Sequence, residues 1–270
     1  MLIVSAGPTG LMLAPELASQ SIPFRITEAG LVRSDKSRAL ILHPRTLELL
    51  ARHGIVQNFL SRGTFNDSIR IFANQKLVFE VDLKKTPFRD TMFPNPLIIS
   101  WAETEPILCG ALEKYGVVIK RGVKAERVGQ NEDGVTAWLK SSDSGGKEQE
   151  VRCKYIVECD GAHSIVRKSA GVKYEGGVYP QDFILAEVHL KWSQKDCLSV
   201  FVGDGFMGSF PMKYTLFRFI VSRPQERYND VESTMKDFKN MIRKLVPGKA
   251  EIFDPAWIMR FRLHYHVCRS

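Results

Sequence analysis

The chain has 270 residues, of which 44% are hydrophobic, and it carries a net charge of +8. This length and hydrophobic content suffice for a large core in one domain or in two closely joined domains. Lysine and arginine are interspersed with acidic residues, without a run of five or more like charges. This distribution argues against nucleic-acid binding, and the mild positive excess favours an anionic cofactor or substrate.

The five cysteines are odd in number and form no Cys-x-x-Cys pair, which indicates an intracellular protein without disulfides. Residues 1–18 have an apolar centre, but no positive charge precedes it and Gly7, Pro8 and Gly10 interrupt it, so a strand and a helix fit better than a signal peptide. No apolar run is long enough to cross a bilayer. We therefore expect a cytoplasmic protein without a membrane span, and the sequence gives no indication of its oligomeric state.

The first thirty residues have the pattern of a βαβ unit that binds dinucleotides. Gly7 would let the backbone approach a pyrophosphate, and Gly10 would let the helix pack closely on the first strand. Glu28 ends the second strand, where an acid accepts hydrogen bonds from an adenosine ribose. The alternative is a surface turn before a core helix. Two parallel strands and the helix between them are predicted at residues 2–4, 24–27 and 11–18.

The pattern of apolar and polar residues changes after residue 172. Before it, helical spacing and apolar strands alternate; after it, apolar and polar residues alternate as in an antiparallel sheet. Further helices are predicted at residues 46–52, 105–115 and 235–245. Strands are predicted at residues 69–72, 77–81, 123–128, 135–139, 151–157, 183–190, 198–202 and 216–221, the first two of them as a hairpin.

Residues 160–167 read Asp-Gly-Ala-His-Ser-Ile-Val-Arg, and residues 44–48 read Pro-Arg-Thr-Leu-Glu. An Asp-Gly pair alone is usually a turn, and a glycine turn alone indicates only a phosphate site. In this order along the chain, however, the glycine turn and these two segments resemble the FAD-dependent aromatic hydroxylases. The likeness extends over essentially the whole chain.

The resemblance implies an α/β fold, in which a Rossmann-like FAD/NAD(P)-binding domain carries an inserted mixed or antiparallel substrate sheet. We expect the first domain at residues 1–75 and 100–172, and the substrate sheet at residues 76–99 and 173–270. In relatives an arginine contacts the pyrophosphate, a strand contacts the adenine through its backbone, and the Asp-Gly motif lies beside the cofactor. The implied cofactor-binding residues are Gly7, Gly10, Glu28, Arg38, Val123, Asp160, Gly161 and Arg167.

The implied function is that of a monooxygenase in specialised metabolism. It would use FAD, NAD(P)H and oxygen to hydroxylate a small aromatic or polyketide-type substrate. No residue in the sequence identifies a catalytic acid or base, so the catalytic residues stay unassigned.

The chain also departs from the family pattern. Ser5 and Ser21 stand where relatives have glycine, Pro15 is expected to kink the first helix, and Trp101 takes the place of a glutamine. The family's third motif, Gly-Asp-Ala-Ala-His, does not occur in these 270 residues. Because that motif contacts the redox half of FAD, we expect FAD to be held weakly or not at all.

Two alternatives to the monooxygenase stay open. One is a flavin-deficient descendant that catalyses a cofactor-free cyclisation, isomerisation or dehydration, or that binds without catalysis. The other is a truncated product of a longer protein. The colour of the purified protein separates bound flavin from its loss.

Two weaker patterns in the sequence do not by themselves predict a functional site. His264, His266 and Cys268 alternate and would share one face of a strand, but without a fourth ligand they predict no metal site. Aromatic residues recur after residue 180 and either line a substrate pocket or form the core of the sheet. These are Phe183, Phe201, Phe206, Phe210, Tyr214, Phe217 and Phe219.

Overall fold

The computed structural model describes residues 1–33, 40–85, 90–145, 147–192, 196–203, 205–223, 231–248 and 250–269. Its helices are α1 (Pro8–Ser19), α2 (Pro44–Arg52), α3 (Val56–Arg62), α4 (Trp101–Glu113), α5 (Ile165–Ser169) and α6 (Val231–Leu245), with 3-10 turns at Ser142–Ser144 and Gly161–His163. Its strands are β1 (Leu2–Val4), β2 (Arg25–Glu28), β3 (Ile41–Leu42), β4 (Thr64–Phe65), β5 (Ser68–Ala73), β6 (Lys76–Asp82), β7 (Leu97–Ile98), β8 (Ile119–Arg121), β9 (Val123–Asn131), β10 (Gly134–Ser141), β11 (Glu148–Cys153), β12 (Ile156–Glu158), β13 (Lys173–Lys191), β14 (Cys197–Val202), β15 (Phe206–Pro211), β16 (Leu216–Arg223) and β17 (Glu251–Arg269).

The chain divides into two compact units. The first comprises Met1–Ala39, Trp101–Glu175 and His266–Ser270, and the second comprises Leu40–Ser100 and Gly176–Tyr265. Residues 40–75, which the sequence assigned to the dinucleotide-binding domain, lie in the second unit, where β5 pairs with β14. The assignment of dinucleotide binding to one domain and substrate binding to the other stays a prediction.

The first unit contains a parallel sheet in the order β12-β1-β2-β8. Ile3 lies opposite Ile26 in the neighbouring parallel strand, and Val4 lies opposite Glu158. This pairing confirms the predicted βαβ unit. Helix α1 buries Leu11 and continues through the buried Pro15 to Ser19. The α/β fold predicted from the sequence is therefore correct, and its parallel sheet places the ends of β1, β2 and β12 side by side.

A second sheet of the first unit, β11-β10-β9, is antiparallel. It packs on the parallel sheet through a small apolar core of buried side chains. They are Leu2, Val4, Ala125, Ala137, Leu139 and Val151. This core fixes the start of β9 next to the ends of β1 and β2.

The second unit contains a seven-stranded sheet in the order β17-β13-β16-β15-β14-β5-β6. Its hairpin of β5 and β6 confirms the sequence prediction. Phe201, Phe217 and Phe219 are fully buried in the core beneath α6, whereas Tyr214 is 92% exposed. For the three buried rings, the core interpretation of the aromatic pattern is the correct one.

No helix in the described ranges is long and apolar enough to cross a membrane. The same residues contain no group of three or more histidine, cysteine, aspartate or glutamate side chains that could hold a metal ion. His266 stacks instead on the ring of Tyr174, with the ring centroids 4.4 Å apart.

Candidate functional site

A cavity of about 250 Å³ lies at the carboxyl ends of the parallel strands of the first unit. This is the edge at which open α/β sheets bind their ligands. Its wall comes from the ends of β1 and β2, the start of β9 and the turn after β12. The lining residues are Val4, Ser5, Thr27, Glu28, Ala29, Val123, Lys124, Ala125, Asp160, His163 and Ile165.

A larger cavity, of about 460 Å³, opens at the other end of the same strands. It is lined by Met1, Leu2 and Arg25 and by residues 149–153. Because ligands of doubly wound sheets bind at the carboxyl ends of the strands, the smaller cavity is the better candidate despite its size. Its volume is below the roughly 300 to 1,000 Å³ of pockets for drug-sized ligands, so it suits part of a dinucleotide.

Glu28 binds the glycine turn through one carboxylate oxygen and the loop after β2 through the other. Oε2 accepts hydrogen bonds from the Ser5 hydroxyl at 2.9 Å and from the Ala6 amide at 2.8 Å. Oε1 accepts from the Gly30 amide at 3.0 Å. The carboxylate is therefore fixed at the cavity wall, with its charge beside the turn that leads into α1.

Gly7 and Gly10 have different roles in this turn. Gly7 is the extended N-cap residue of α1, and a Cβ there would meet only ordinary contacts, such as the Ser5 Oγ at 3.7 Å. A Cβ on Gly10 would collide with the carbonyl oxygen of Ser5 and lie 3.2 Å from Ile3. The helix packs closely on the strand at Gly10 as predicted, whereas at Gly7 the backbone amide donates to the Ser5 hydroxyl at 3.3 Å.

Asp160 reaches the cavity from the turn after β12. Its Oδ2 accepts a hydrogen bond from the amide of Ile165 at 2.9 Å. Its Oδ1 is shielded from solvent and has no hydrogen-bond partner among the residues that the structure describes. An unsatisfied buried carboxylate oxygen is costly, and Asp160 lines the cavity, so a ligand hydroxyl that donates to this oxygen would remove that cost. A ribose or ribityl hydroxyl is such a donor.

Gly161 and Arg167 shape the turn that carries Asp160. Gly161 has φ of +73°, a left-handed conformation that favours glycine. The buried guanidinium of Arg167 donates to the carbonyl of Ala162 at 2.9 Å, lies 3.7 Å from the Glu158 carboxylate and stacks on the Tyr174 ring at 4.3 Å. Arg167 thus supports the turn from within the protein, and it is not among the residues that line the cavity.

Two side chains near the cavity, Cys159 and Ser164, are of types that can act as nucleophiles. Burial raises the pKa of the Cys159 thiol, and the carboxylates of Asp160 and Glu158 raise it further, so Cys159 is a neutral thiol at neutral pH. Ser164 is fully buried, and its hydroxyl accepts the amide hydrogen of Arg167 at 3.1 Å as the N-cap of α5. Neither group is available for covalent catalysis.

The structure brings Glu28, Val123 and Asp160 together in one cavity. Arg38 lies outside the described residues, so its predicted contact with a pyrophosphate stays a prediction. The other eight lining residues were not predicted as site residues, and two of them, His163 and Lys124, have basic side chains. The signal for them was present, since each adjoins a predicted element of the site.

Comparison with known proteins gives three findings. A family model described as an FAD binding domain matches residues 1–270. The rifampicin monooxygenase of Streptomyces venezuelae is 29% identical over 266 residues, which cover 97% of this chain and 53% of the relative. The aromatic compound monooxygenase YhjG of Bacillus subtilis, itself uncharacterised, is 30% identical over 262 residues, which cover 96% of this chain and 51% of the relative. The chain thus spans about half the length of these relatives.

Among solved structures, the flavin-dependent monooxygenase PieE in complex with FAD and substrate matches with a TM-score of 0.85. The match covers 99% of this chain and 50% of that chain at 18% identity, so it bears on the fold alone.

Proposed function

The chain belongs to the FAD binding domain family, and on that premise we propose that its cavity holds the adenosine half of FAD. We further propose that the chain serves the hydroxylation of a small aromatic or polyketide-type substrate, with NAD(P)H and oxygen as co-substrates. The observation that carries the proposal is the meeting of Glu28 and Asp160, from distant segments, at one cavity at the carboxyl ends of the parallel strands.

Each residue of the cavity has a distinct part in holding the nucleotide. Glu28 accepts a hydrogen bond from the adenosine ribose, and the N-terminus of α1, which begins after Gly7, faces the pyrophosphate. Val123, at the start of β9, lies beside the adenine. The free lone pairs of Asp160 Oδ1 accept from a hydroxyl of the ligand.

The chemistry that FAD supplies when bound is two-electron redox chemistry with NAD(P)H and oxygen. The residues of this chain bind and orient the cofactor, and we assign none of them as a catalytic acid or base. The names of the relatives support the substrate class, since they include a rifampicin monooxygenase and an aromatic compound monooxygenase.

A flavin-independent role is the second candidate. The observation that favours it is the Ser5 hydroxyl, which already donates to Glu28 at 2.9 Å and so competes with a ribose for the carboxylate. In this case the protein would transform or bind its substrate without an oxygen atom being added.

The test is to incubate the protein with FAD, NADPH and a panel of phenols and polyketide aromatics under ¹⁸O₂. The proposed function predicts a product that gains one ¹⁸O atom only when FAD and NADPH are both present. A product that forms without FAD and without gain of oxygen favours the second candidate. NADPH oxidation that yields only hydrogen peroxide with every substrate contradicts the hydroxylase.

A further inference from the structure

We propose that the side chain of Ser5 sets the affinity of the cavity for an adenine nucleotide, because its hydroxyl occupies the groups that the nucleotide needs. This inference rests on the proposed function, since it concerns the same cavity. Ser5 Oγ donates to Glu28 Oε2 at 2.9 Å and accepts the amide hydrogen of Gly7 at 3.3 Å. It therefore makes a bond to the carboxylate as a ribose hydroxyl would, and a bond to the helix N-terminus as a phosphate oxygen would.

The Ser5 hydroxyl uses one of the hydrogen-bond acceptor positions of the Glu28 carboxylate. A carboxylate offers roughly four lone-pair positions. Within the described residues, three donors reach Glu28: the Ser5 hydroxyl, the Ala6 amide and the Gly30 amide. The two amides belong to the backbone and are there whatever residue stands at position 5. The two adjacent hydroxyls of a ribose need two acceptor positions, and the second becomes free only when the Ser5 hydroxyl is absent.

The backbone gives no reason for serine at this position. Ser5 has φ of +82°, a conformation that side chains with a Cβ rarely adopt and glycine adopts readily. Ser21 has the same kind of strain, with φ of +56°, but it follows the other end of α1 and does not line the cavity. Variants at the two serines therefore distinguish the effect of relieving backbone strain from the effect of removing the hydroxyl at the cavity.

The experiment measures the dissociation constant of ADP by isothermal titration calorimetry for four proteins. Ser5→Ala removes the hydroxyl but keeps the strained Cβ, and Ser5→Gly removes both. Ser21→Gly relieves strain at a position that does not line the cavity. We expect Ser5→Ala and Ser5→Gly to bind ADP about three- to tenfold more tightly than the wild type, the range of one hydrogen bond. We expect Ser21→Gly to bind as the wild type does while its melting temperature rises.

A second ligand identifies the competing group. With 2′-deoxy-ADP, which has one hydroxyl fewer, the gain in Ser5→Ala shrinks if Ser5 competes with the ribose. An equal gain for both ligands overturns the assignment to the ribose, and unchanged or weaker ADP binding in both Ser5 variants overturns the whole inference. A third outcome separates the two proposals. Suppose that the wild type binds ADP, that Asp160→Ala abolishes this binding, and that the Ser5 variants bind ADP as the wild type does. The proposed function then stands and the inference about Ser5 fails. If no variant binds ADP or FAD, both fail.

Discussion

Arg167 contacts the turn that carries Asp160 through carbonyl oxygens and not through the carboxylate itself. We expect Arg167→Met to lower the free energy of unfolding by about 1 to 3 kcal/mol, because charge-assisted bonds to buried groups have this magnitude. The loosened turn should also weaken ADP binding. Urea denaturation and calorimetry check both effects.

The exposed neighbour Lys168 supplies the matched control for this change. Lys168→Met removes the same charge from the same helix and should alter stability by no more than about 0.5 kcal/mol. If Arg167→Met behaves like Lys168→Met in both assays, the supporting role of Arg167 is wrong.

Serine at two strained positions shows what the sequence can reveal about single residues. Ser5 and Ser21 stood out because relatives have glycine there, and both have positive φ. The resemblance thus correctly indicated two positions with a left-handed backbone conformation. It did not locate the hydrogen bond from Ser5 to Glu28, because that bond depends on a side-chain rotamer and on the exact spacing of two strands.

At the scale of elements, the approach of α1 to β1 depends on Gly10. A methyl group there would collide with the Ser5 carbonyl, so we expect Gly10→Ala to destabilise the protein by about 3 kcal/mol and to move the turn at the cavity. Gly110, in α4, has nothing within 4 Å of an added Cβ. Gly110→Ala should therefore stabilise the protein by about 0.5 to 1 kcal/mol. Opposite shifts in melting temperature confirm the prediction, and equal shifts contradict it.

The sheet of the second unit contains a buried ion pair between neighbouring strands. Glu187 on β13 lies opposite Arg218 on β16, which is fully buried, and Arg218 Nε donates to Glu187 Oε1 at 2.8 Å. Trp257 Nε1 donates to the other carboxylate oxygen at 2.7 Å. Removing one partner of a buried pair costs about 3 to 5 kcal/mol, so Glu187→Gln should destabilise the protein by that amount in urea denaturation.

The double variant Glu187→Leu/Arg218→Met should recover much of this loss, because apolar replacement removes both charges together. Asp182 on the same strand provides the control, since its pair with Arg262 is partly exposed. Asp182→Asn should cost about 1 kcal/mol or less. Equal losses for Glu187→Gln and Asp182→Asn would show that burial does not decide the strength of these pairs.

The elements near the N-terminus follow the sequence most closely, because local patterns determine them. The strands at residues 2–4 and 24–27 pair in parallel as predicted, and Gly10 packs as predicted. In the structure, residues 40–75 lie in the second unit, where the pairing of β5 with β14 joins segments far apart in the chain. Local periodicity contains no information on such a pairing.

At the scale of the whole molecule, the candidate site lies entirely within the first unit. Its parts come from the first strand, the end of the second, the start of β9 and the turn after β12. A family model matches the full chain, while the curated relatives are about twice as long. Nucleotide binding by this unit can therefore be measured apart from hydroxylation.

The most direct test is the binding of ADP, with FAD as competitor, to the wild type and to Glu28→Gln and Asp160→Asn. The asparagine keeps an acceptor for the Ile165 amide but replaces the unpartnered Oδ1 with a donor. Glu113→Gln, an exposed change of the same charge at the end of α4, is the control. We expect ADP and FAD to compete for one site, both cavity variants to bind ADP at least about tenfold more weakly, and the control to bind normally. Equal affinity in all four proteins, or no binding of either ligand to the wild type, would contradict this expectation.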